Sequence, residues 1–402
     1  MKRLIGYTAA LCLLAFTVGC GGVTSTGTLA YLSNSNGTGF TVFNVNTDGT
    51  LTTSDISPQS TPAAPKRLVF SPNGKWAYFL DNAGTNLYAY TRAGNGELST
   101  QVQPPYPLPA GATALAVAPN NNFVYVALPV TLQLQVFSID PSTGILTGST
   151  AQNIGYAIDQ LVMAPGGGAL FGLAVSQQAV VSFTLNSSSG NVTSKVSYPV
   201  GANPSYMILS QNGSYMYVLD SVLTAPFGNS TAPCTTGSTC SPTFFAFNVQ
   251  SNGTLLYMNG QPFQENADLI TGIYPKDPIG GATSNDNRWL FIANQGTHNI
   301  SVFKIGTTSG EPTEVLGAIT TVNGIQQSSA SPFDCGFGGG ACTTPSFLSV
   351  SNANNALYVL DTAASKIFQI AIDQNTGKLR ALNPAFVSGE SSSSQPVWIT
   401  IR

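Results

Sequence analysis

The chain has 402 residues, of which only 8% are charged, and its formal net charge is −3. Charged residues make up about 25% of an average soluble protein, so solubility must come from Asn, Ser, Thr and Gln, which argues against an intracellular housekeeping enzyme. Two of the 14 Lys and Arg residues lie at positions 2 and 3, which leaves 12 against 17 Asp and Glu. With no basic patch visible, nucleic acid is excluded as a partner.

The N-terminal segment has the layout of a removable signal peptide, predicted over residues 1–19. Lys2 and Arg3 precede an apolar run from Leu4 to Val18, which is shorter than the ~20 residues that a membrane-spanning helix needs. The following Cys20 ends a stretch that resembles the lipobox of bacterial lipoproteins, although Thr stands at position 17 where Leu is usual. The alternative is an ordinary secretory signal with an incidental Cys.

This resemblance implies that the thiol of Cys20 carries a diacylglycerol group. We therefore predict an exported protein that is lipid-anchored in the bacterial cell envelope, at the outer membrane or facing the periplasm. Its only membrane contact would be the anchor. Residues 20–27 would form a lipidated linker and residues 28–402 a single domain.

One phrase recurs along that domain: a short apolar strand, a turn, and a second strand with an aromatic residue. The aromatic residues are spaced by 47, 47, 46, 46, 74 and 67 positions. They are Tyr31, Tyr78, Tyr125, Phe171, Tyr217, Phe291 and Tyr358, here called the ruler residues. Each unit continues with two further strands of period-2 alternation, which is typical of a propeller blade. The sequence predicts an all-β, seven-bladed propeller of four-stranded antiparallel blades.

The first unit lacks an opening strand, because the chain enters it near Leu29. The C-terminal segment from Pro396 to Ile401 has the alternation of the missing strand. We therefore predict that the N- and C-terminal strands pair within one blade and close the ring, which leaves only short edges.

Four cysteines follow Cys20 as two close pairs in Gly-, Ser- and Thr-rich segments. In an exported protein this arrangement predicts the disulfides Cys234–Cys240 and Cys335–Cys342. A four-thiolate zinc site is disfavoured because both spacings exceed C-x2-4-C. A calcium loop starting at Asn44 is also disfavoured, because Asp55 stands where the twelfth position needs Glu. We expect no metal and no cofactor.

Three long segments interrupt the repeat, at residues 221–242, 264–278 and 321–344. In an antiparallel blade, the loop between the second and third strands and the connection after the fourth strand leave by the same face. All three segments, and the loop with His298, therefore lie on one face of the propeller. Loops on a rigid frame often carry function, so this face is the predicted ligand side. Loop drift with stabilising disulfides is the alternative.

The phrase "strand, Ser-Pro-Asn-Gly, aromatic strand, third strand, Thr-Gly-x-Leu", seen at Ser71–Gly74 and Thr143–Leu146, resembles the lactonase-type seven-bladed propellers. That family includes 6-phosphogluconolactonase-like, muconate-lactonising and YVTN surface-layer branches. The resemblance covers nearly all of the domain and implies lactone hydrolysis as a possible activity.

The family's catalytic phrases match poorly. Its Asn-Arg-Gly-His phrase reads Asn294-Gln295-Gly296-Thr297 here, with His298 one place late, and a second His-bearing phrase is represented by Asn203–Tyr206. Glutamine cannot replace a bidentate arginine without losing its charge. With so few Lys and Arg residues, no compensating cationic cluster is expected elsewhere.

The sequence therefore favours a binding or interaction module over an enzyme. Its candidate ligand-face residues are Asp220, Asn294, Gln295 and His298, and its partner would be a small molecule, a glycan or an envelope protein. We expect a monomer. The alternatives are a lactone hydrolase, in which Asp220 or Asp286 acts as base on a neutral lactone, and a structural surface-layer component. No useful hydrolysis of 6-phosphogluconolactone is expected.

Overall fold

The protein is a ring of seven β-sheets around a central channel. The computed structural model describes residues 27–109, 111–224, 241–268, 272–322, 325–336, 342–388 and 395–402. Within these ranges the only helices are two single 3-10 turns, at Pro129–Thr131 and Val175–Gln177. No helix of the described ranges has the length and apolar character needed to cross a membrane.

Each sheet is an antiparallel meander whose strands run in order from the channel outward. The strands of blades 1 to 3 are β1 (Leu29–Asn34), β2 (Gly39–Val45), β3 (Leu51–Thr53), β4 (Gln59–Ser60); β5 (Pro65–Phe70), β6 (Trp76–Asp81), β7 (Asn86–Arg92), β8 (Leu98–Gln101), β9 (Tyr106–Pro107); and β10 (Ala114–Val117), β11 (Phe123–Leu128), β12 (Gln133–Ile139), β13 (Leu146–Asn153).

The later blades follow the same order. Their strands are β14 (Gln160–Met163), β15 (Ala169–Ala174), β16 (Ala179–Leu185), β17 (Val192–Pro199) in blade 4; β18 (Pro204–Leu209), β19 (Tyr215–Thr224), β20 (Ser241–Val249), β21 (Leu255–Tyr257), β22 (Phe263–Gln264) in blade 5; β23 (Pro278–Thr283), β24 (Trp289–Asn294), β25 (Asn299–Ile305), β26 (Pro312–Glu314) in blade 6, followed by β27 (Ile319–Val322), β28 (Ile325–Ser328) and β29 (Phe333–Asp334); β30 (Pro345–Val350), β31 (Ala356–Asp361), β32 (Lys366–Ile372), β33 (Leu379–Ser388) in blade 7; and β34 (Pro396–Ile401).

The ring closes as the sequence predicts. Strand β34 pairs antiparallel with β1 and forms the inner strand of blade 1. The backbone of Leu29 and that of Arg402 exchange two hydrogen bonds, of 2.7 and 2.8 Å. Every ruler residue is buried. The predicted seven-bladed propeller is therefore confirmed.

The outer strands depart from a simple four-strand pattern. Strands β13, β17 and β33 are continuous, whereas the outermost position of blades 1, 2, 5 and 6 holds two short pieces that both pair with the third strand. In blade 6 these pieces, β26 and β29, are separated by the hairpin β27–β28. This hairpin lies in a region that the repeat pattern treats as a loop, because its strands belong to no blade and follow no blade spacing.

The ruler tyrosines connect neighbouring blades. Tyr78 donates its hydroxyl to the carbonyl of Gly144, Tyr217 to Gly310 and Tyr358 to Gly49, over 3.2, 2.7 and 2.8 Å. Each of these glycines has a positive φ in the turn between the third and fourth strands of the next blade. The aromatic position of the repeat therefore fills a blade core and also joins that blade to its neighbour.

Candidate functional site

The central channel contains a cavity of about 380 Å³, lined by residues of all seven inner strands. The inner strands are β5, β10, β14, β18, β23, β30 and β34. Since every blade contributes one strand, each level of the channel brings seven equivalent positions together. The chemistry of the channel can therefore be compared level by level.

One level consists of the inner-strand residues that pair with the second strand at the position two residues after each ruler residue. In ring order from blade 1 these residues are Trp398, Arg67, Ala114, Gln160, Tyr206, Gly280 and Phe347. The large members, Arg67, Gln160, Tyr206, Phe347 and Trp398, are here called the Arg67 layer. Only two residues lining the cavity are titratable, Arg67 and Tyr206.

Arg67 carries a positive charge inside the channel. Its guanidinium carbon lies 4.0 Å from the centroid of the Trp398 ring. Burial lowers the pKa of this guanidinium, and the nearby Tyr206 acts in the opposite direction. Among the described residues, no carboxylate or carbonyl accepts a hydrogen bond from Arg67. A half-buried cation that lies against an aromatic ring and donates to no described acceptor is suited to an anion or a polarised carbonyl oxygen.

Tyr206 lies on the other side of the same layer. Burial raises the pKa of its phenol to about 12, against a smaller lowering by Arg67. Its ring contacts Phe347 at 6.3 Å between centroids, and Phe347 lies 4.1 Å from Trp398. Tyr206 is therefore protonated at neutral pH, and its hydroxyl is a hydrogen-bond donor rather than a base.

Lys66 precedes Arg67 and adds a second positive charge. The pKa of its ammonium is lowered by burial and then by the charge of Arg67. These two consecutive cations form a cationic pair that the sequence analysis did not expect. The sequence repeat does not indicate them, because Lys66 and Arg67 occupy repeat positions that most blades fill with apolar or small residues.

Several backbone groups in and next to the inner strands form hydrogen bonds with side chains from a neighbouring blade. Gln160 exchanges two hydrogen bonds, of 2.7 and 2.8 Å, with the backbone of Met207. Thr400 donates to the carbonyl of Leu68 over 2.9 Å, and Thr113 donates to that of Ile158 over 2.7 Å. These polar groups of the inner strands are satisfied internally.

The carboxylates at the sixth position of the second strands have structural roles. Asp81 accepts hydrogen bonds from both the backbone and the side chains of Thr85 and Asn86. Burial raises the pKa of Asp81, but these bonds outweigh it and the net pKa is lowered. The predicted site residue Asp220 is buried and accepts from the backbone N–H of Asn203 over 3.1 Å.

The other predicted site residues lie in blade 6. Asn294 is fully buried at the end of β24, and Gln295 is half-buried with its N–H bonded to the carbonyl of Asp277. His298 is exposed with a φ of 57°. Asp286 lies at the opposite end of blade 6, in the turn before Trp289. None of the side chains of Asn294, Gln295, His298 and Asp286 lines the channel cavity.

A buried carboxyl pair lies beside Asn294 and was not anticipated. Glu265 accepts from Asn294 over 2.9 Å and from the hydroxyl of Ser301, and burial raises its pKa to about 8. Glu314 accepts two hydrogen bonds from Asn266, of 2.6 and 2.7 Å, and its pKa is also raised by burial. Glu265 follows the short outer strand β22 and Glu314 ends the outer strand β26, and at these irregular outer positions the repeat gives no signal.

One of the two predicted disulfides lies within the described residues. Cys335 and Cys342 are bonded, and both are buried. Cys234, Cys240 and Cys20 lie outside the described residues, so those predictions stay predictions. Among the described residues, no three His, Cys, Asp or Glu side chains are grouped as metal ligands.

A family model described as "Lactonase, 7-bladed beta-propeller" matches residues 41–195. No curated protein sequence matches the chain. Among solved structures, the chain is similar to a periplasmic gluconolactonase of Pseudomonas aeruginosa, with 16% identity, a TM-score of 0.67, and coverage of 93% of this chain and 98% of that one.

Two further structures are candidate 6-phosphogluconolactonases. The one from Bacteroides fragilis is 17% identical with a TM-score of 0.66, and the one from Bacteroides uniformis is 16% identical with a TM-score of 0.64. In both cases 94% of this chain and 99% of the other are covered. At such identities the likeness concerns the fold.

These findings correct the functional hypothesis drawn from the sequence. The prediction of a binding module is wrong, because the matched family and the similar structures favour the alternative, a lactonase-type protein. One of the two mismatched family phrases, Asn203–Tyr206, overlaps the inner strand β18, and its Tyr206 lines the channel, whereas the other, Asn294–Thr297, lies outside the channel lining. The matched model and the shared fold confirm the resemblance of this chain to the lactonase-type seven-bladed β-propellers.

Proposed function

We propose that this protein is a lactone hydrolase whose substrate binds in the central channel at the Arg67 layer. The observation that carries the proposal is the charge of Arg67, which has no hydrogen-bond acceptor among the described residues and lines the same cavity as the protonated phenol of Tyr206. Two donors that line one cavity are suited to an oxygen on which negative charge develops. The family resemblance supplies the class of reaction.

In this reaction a water oxygen bonds to the lactone carbonyl carbon, and the bond from that carbon to the ring oxygen breaks. The ring oxygen takes a proton and becomes a hydroxyl group. The product is a hydroxy acid, released as a carboxylate and a proton. Arg67 and Tyr206 donate hydrogen bonds to the carbonyl oxygen as it becomes an oxyanion. Arg67 then faces the carboxylate of the product.

The test is a pH-stat assay of simple neutral lactones with wild type and Arg67→Met. Removing one oxyanion donor lowers kcat by about 10²- to 10³-fold in known hydrolases, and we expect a loss of this order. Arg67→Lys keeps the charge but loses the planar fork, so partial activity should remain. The matched control is Arg288→Met, because Arg288 also faces a tryptophan, at 5.7 Å, but lies outside the channel lining. Wild-type activity in Arg67→Met would contradict the proposal.

For 6-phosphogluconolactone we expect a kcat below about 1 s⁻¹, near the low end of ordinary enzymes. The channel below the Arg67 layer is lined mainly by apolar side chains, which cannot solvate a phosphate dianion. The same pH-stat assay measures this rate. Turnover faster than this would contradict the expectation.

We also propose that the protein is anchored to the cell envelope through Cys20. The Cys335–Cys342 disulfide supports export, because disulfides persist in oxidising compartments. Metabolic labelling with a fatty-acid probe should mark the wild type but not Cys20→Ala. Equal labelling of both proteins would contradict lipidation.

A further inference from the structure

The wall of the central channel changes character below the Arg67 layer. Over the next three levels of the inner strands its side chains are mainly aliphatic, among them Val69, Leu115, Val162, Ile208 and Leu348. Two hydroxyls, those of Thr283 and Ser349, interrupt this surface, and amide side chains return only at the far end, with Gln211 and Asn285. The cavity therefore has one cationic end, an apolar middle and a neutral polar end.

In the apolar middle, the backbone groups that are hydrogen-bonded to Gln160 and Thr400 are not available to bind a polar ligand. The side chain of Gln160 uses both its oxygen and its nitrogen on Met207, and Thr400 is bonded to Leu68. A polyhydroxylated sugar lactone would have to bury several hydroxyls here, and each buried hydroxyl without a partner costs free energy. Burial of an apolar group at the same place is favourable.

The dimensions of the channel suit an extended chain. From Tyr206 to Leu209, the last residue of β18, the inner strand advances three residues, which at about 3.3 Å per residue corresponds to roughly 10 Å. Over this length the lining side chains are mainly aliphatic, so the cavity, of about 380 Å³, is deep enough for an apolar chain of several carbon atoms.

We infer that the ligand of this channel is amphipathic: a lactone, or its hydroxy-acid product, with an apolar substituent that extends down the channel from the Arg67 layer. The assignment of the polar group as a lactone rests on the proposed function. The assignment of the apolar tail rests on the channel wall alone. It distinguishes this protein from one that acts on sugar lactones.

The first experiment measures binding without catalysis. Isothermal titration calorimetry should detect binding of decanoate, whose carboxylate faces Arg67, and little or no binding of gluconate. Ala282→Phe and Ala116→Phe each place a ring in the channel from a different blade, and both should weaken decanoate binding at least tenfold. Ala353→Phe, in an exposed turn, is the control for an added phenyl ring and should bind as wild type does. Circular dichroism and the Tm of each variant show that it is folded.

The second experiment compares γ-butyrolactone, γ-octalactone, γ-decalactone and glucono-δ-lactone as substrates. Each methylene group buried in the channel should raise kcat/KM by up to about fourfold, and the channel variants should flatten this dependence. Equal binding of decanoate and gluconate, or decanoate binding that neither channel variant weakens, overturns the assignment of the tail. Hydrolysis of lactones without any dependence on chain length also overturns it but leaves the proposed activity intact. Channel-dependent decanoate binding with no hydrolysis of any lactone supports the tail and refutes the activity.

Discussion

At the scale of single residues, the ruler tyrosines give a direct test of how blades are joined. Tyr78→Phe keeps the ring in the core and removes only the hydroxyl bonded to Gly144. Leaving a buried carbonyl without its donor costs about 1–3 kcal/mol, so we expect a lower midpoint in urea unfolding. Tyr125→Phe is the matched control, because the hydroxyl of Tyr125 has no acceptor among the described residues. Equal destabilisation by both substitutions would contradict the proposed inter-blade role.

The pKa of Glu265 predicts a pH dependence of stability. Burial raises it from 4.5 to about 8 in the folded protein, so the folded state keeps a proton that the unfolded chain has lost. Stability should therefore fall as the pH rises through this interval, and it should be highest at its acidic end. Glu314, Ser301 and Asn294 face the same carboxyl group.

Glu265→Gln removes this proton while keeping the shape of the side chain. Its Tm should exceed that of wild type at pH 8.5 and should vary less between pH 5 and pH 8.5. The control is Glu97→Gln, at an exposed position, whose pH profile should follow that of wild type. An unchanged profile in Glu265→Gln would show that Glu265 is ionised in the folded protein.

Single residues also show the limits of sequence reasoning about the site. The ruler residues could be predicted because a repeated position with one physical role produces a repeated residue type. Arg67 could not be predicted, because the fold brings it into one layer with Tyr206 and Trp398 from three different blades. The loop residues predicted as ligand-face residues, such as His298, lie outside the channel lining.

At the scale of elements, inner and outer strands differ in how well the sequence predicts them. Second strands are buried along most of their length, inner strands combine buried and half-buried positions, and both keep a regular pattern, so their positions follow from the repeat. Outer strands are half-exposed, and strand β17 is a run of mostly exposed residues. Burial therefore does not constrain their sequence, and the split pairs such as β26 and β29 left no pattern to detect.

The Cys335–Cys342 disulfide fixes one of these irregular elements next to the loop of His298. The sulfur of Cys335 lies 3.2 Å from the carbonyl oxygen of His298, and β29 pairs with β25 at the same place. Closing so short a loop stabilises a protein by about 2–3 kcal/mol at most. We expect Cys335→Ser/Cys342→Ser to lower the Tm by a few degrees and to increase hydrogen exchange in β29. If exchange rises equally in all blades, the disulfide acts globally rather than locally.

At the scale of the whole molecule, the closing strand determines whether the ring is complete. Truncation after Gln395 removes β34, the inner strand of blade 1, and exposes the edge of β1. Unpaired strand edges promote association between chains, so the truncated protein should form oligomers or aggregates in size-exclusion chromatography. Truncation before Thr28 leaves all strands intact and should give the wild-type elution volume. A monomeric, folded protein lacking β34 would show that ring closure contributes little.

The pairing of β34 with β1 also has a kinetic consequence. Ala30 pairs with Ile401, so the contact that completes the molecule joins almost the first and the last residues of the domain. Contacts between such distant residues form slowly, because they require most of the chain to be ordered first. A partly synthesised chain therefore lacks the strand on which closure depends. Its first blade stays incomplete until the C-terminus has been made, which delays the native ring until synthesis is complete.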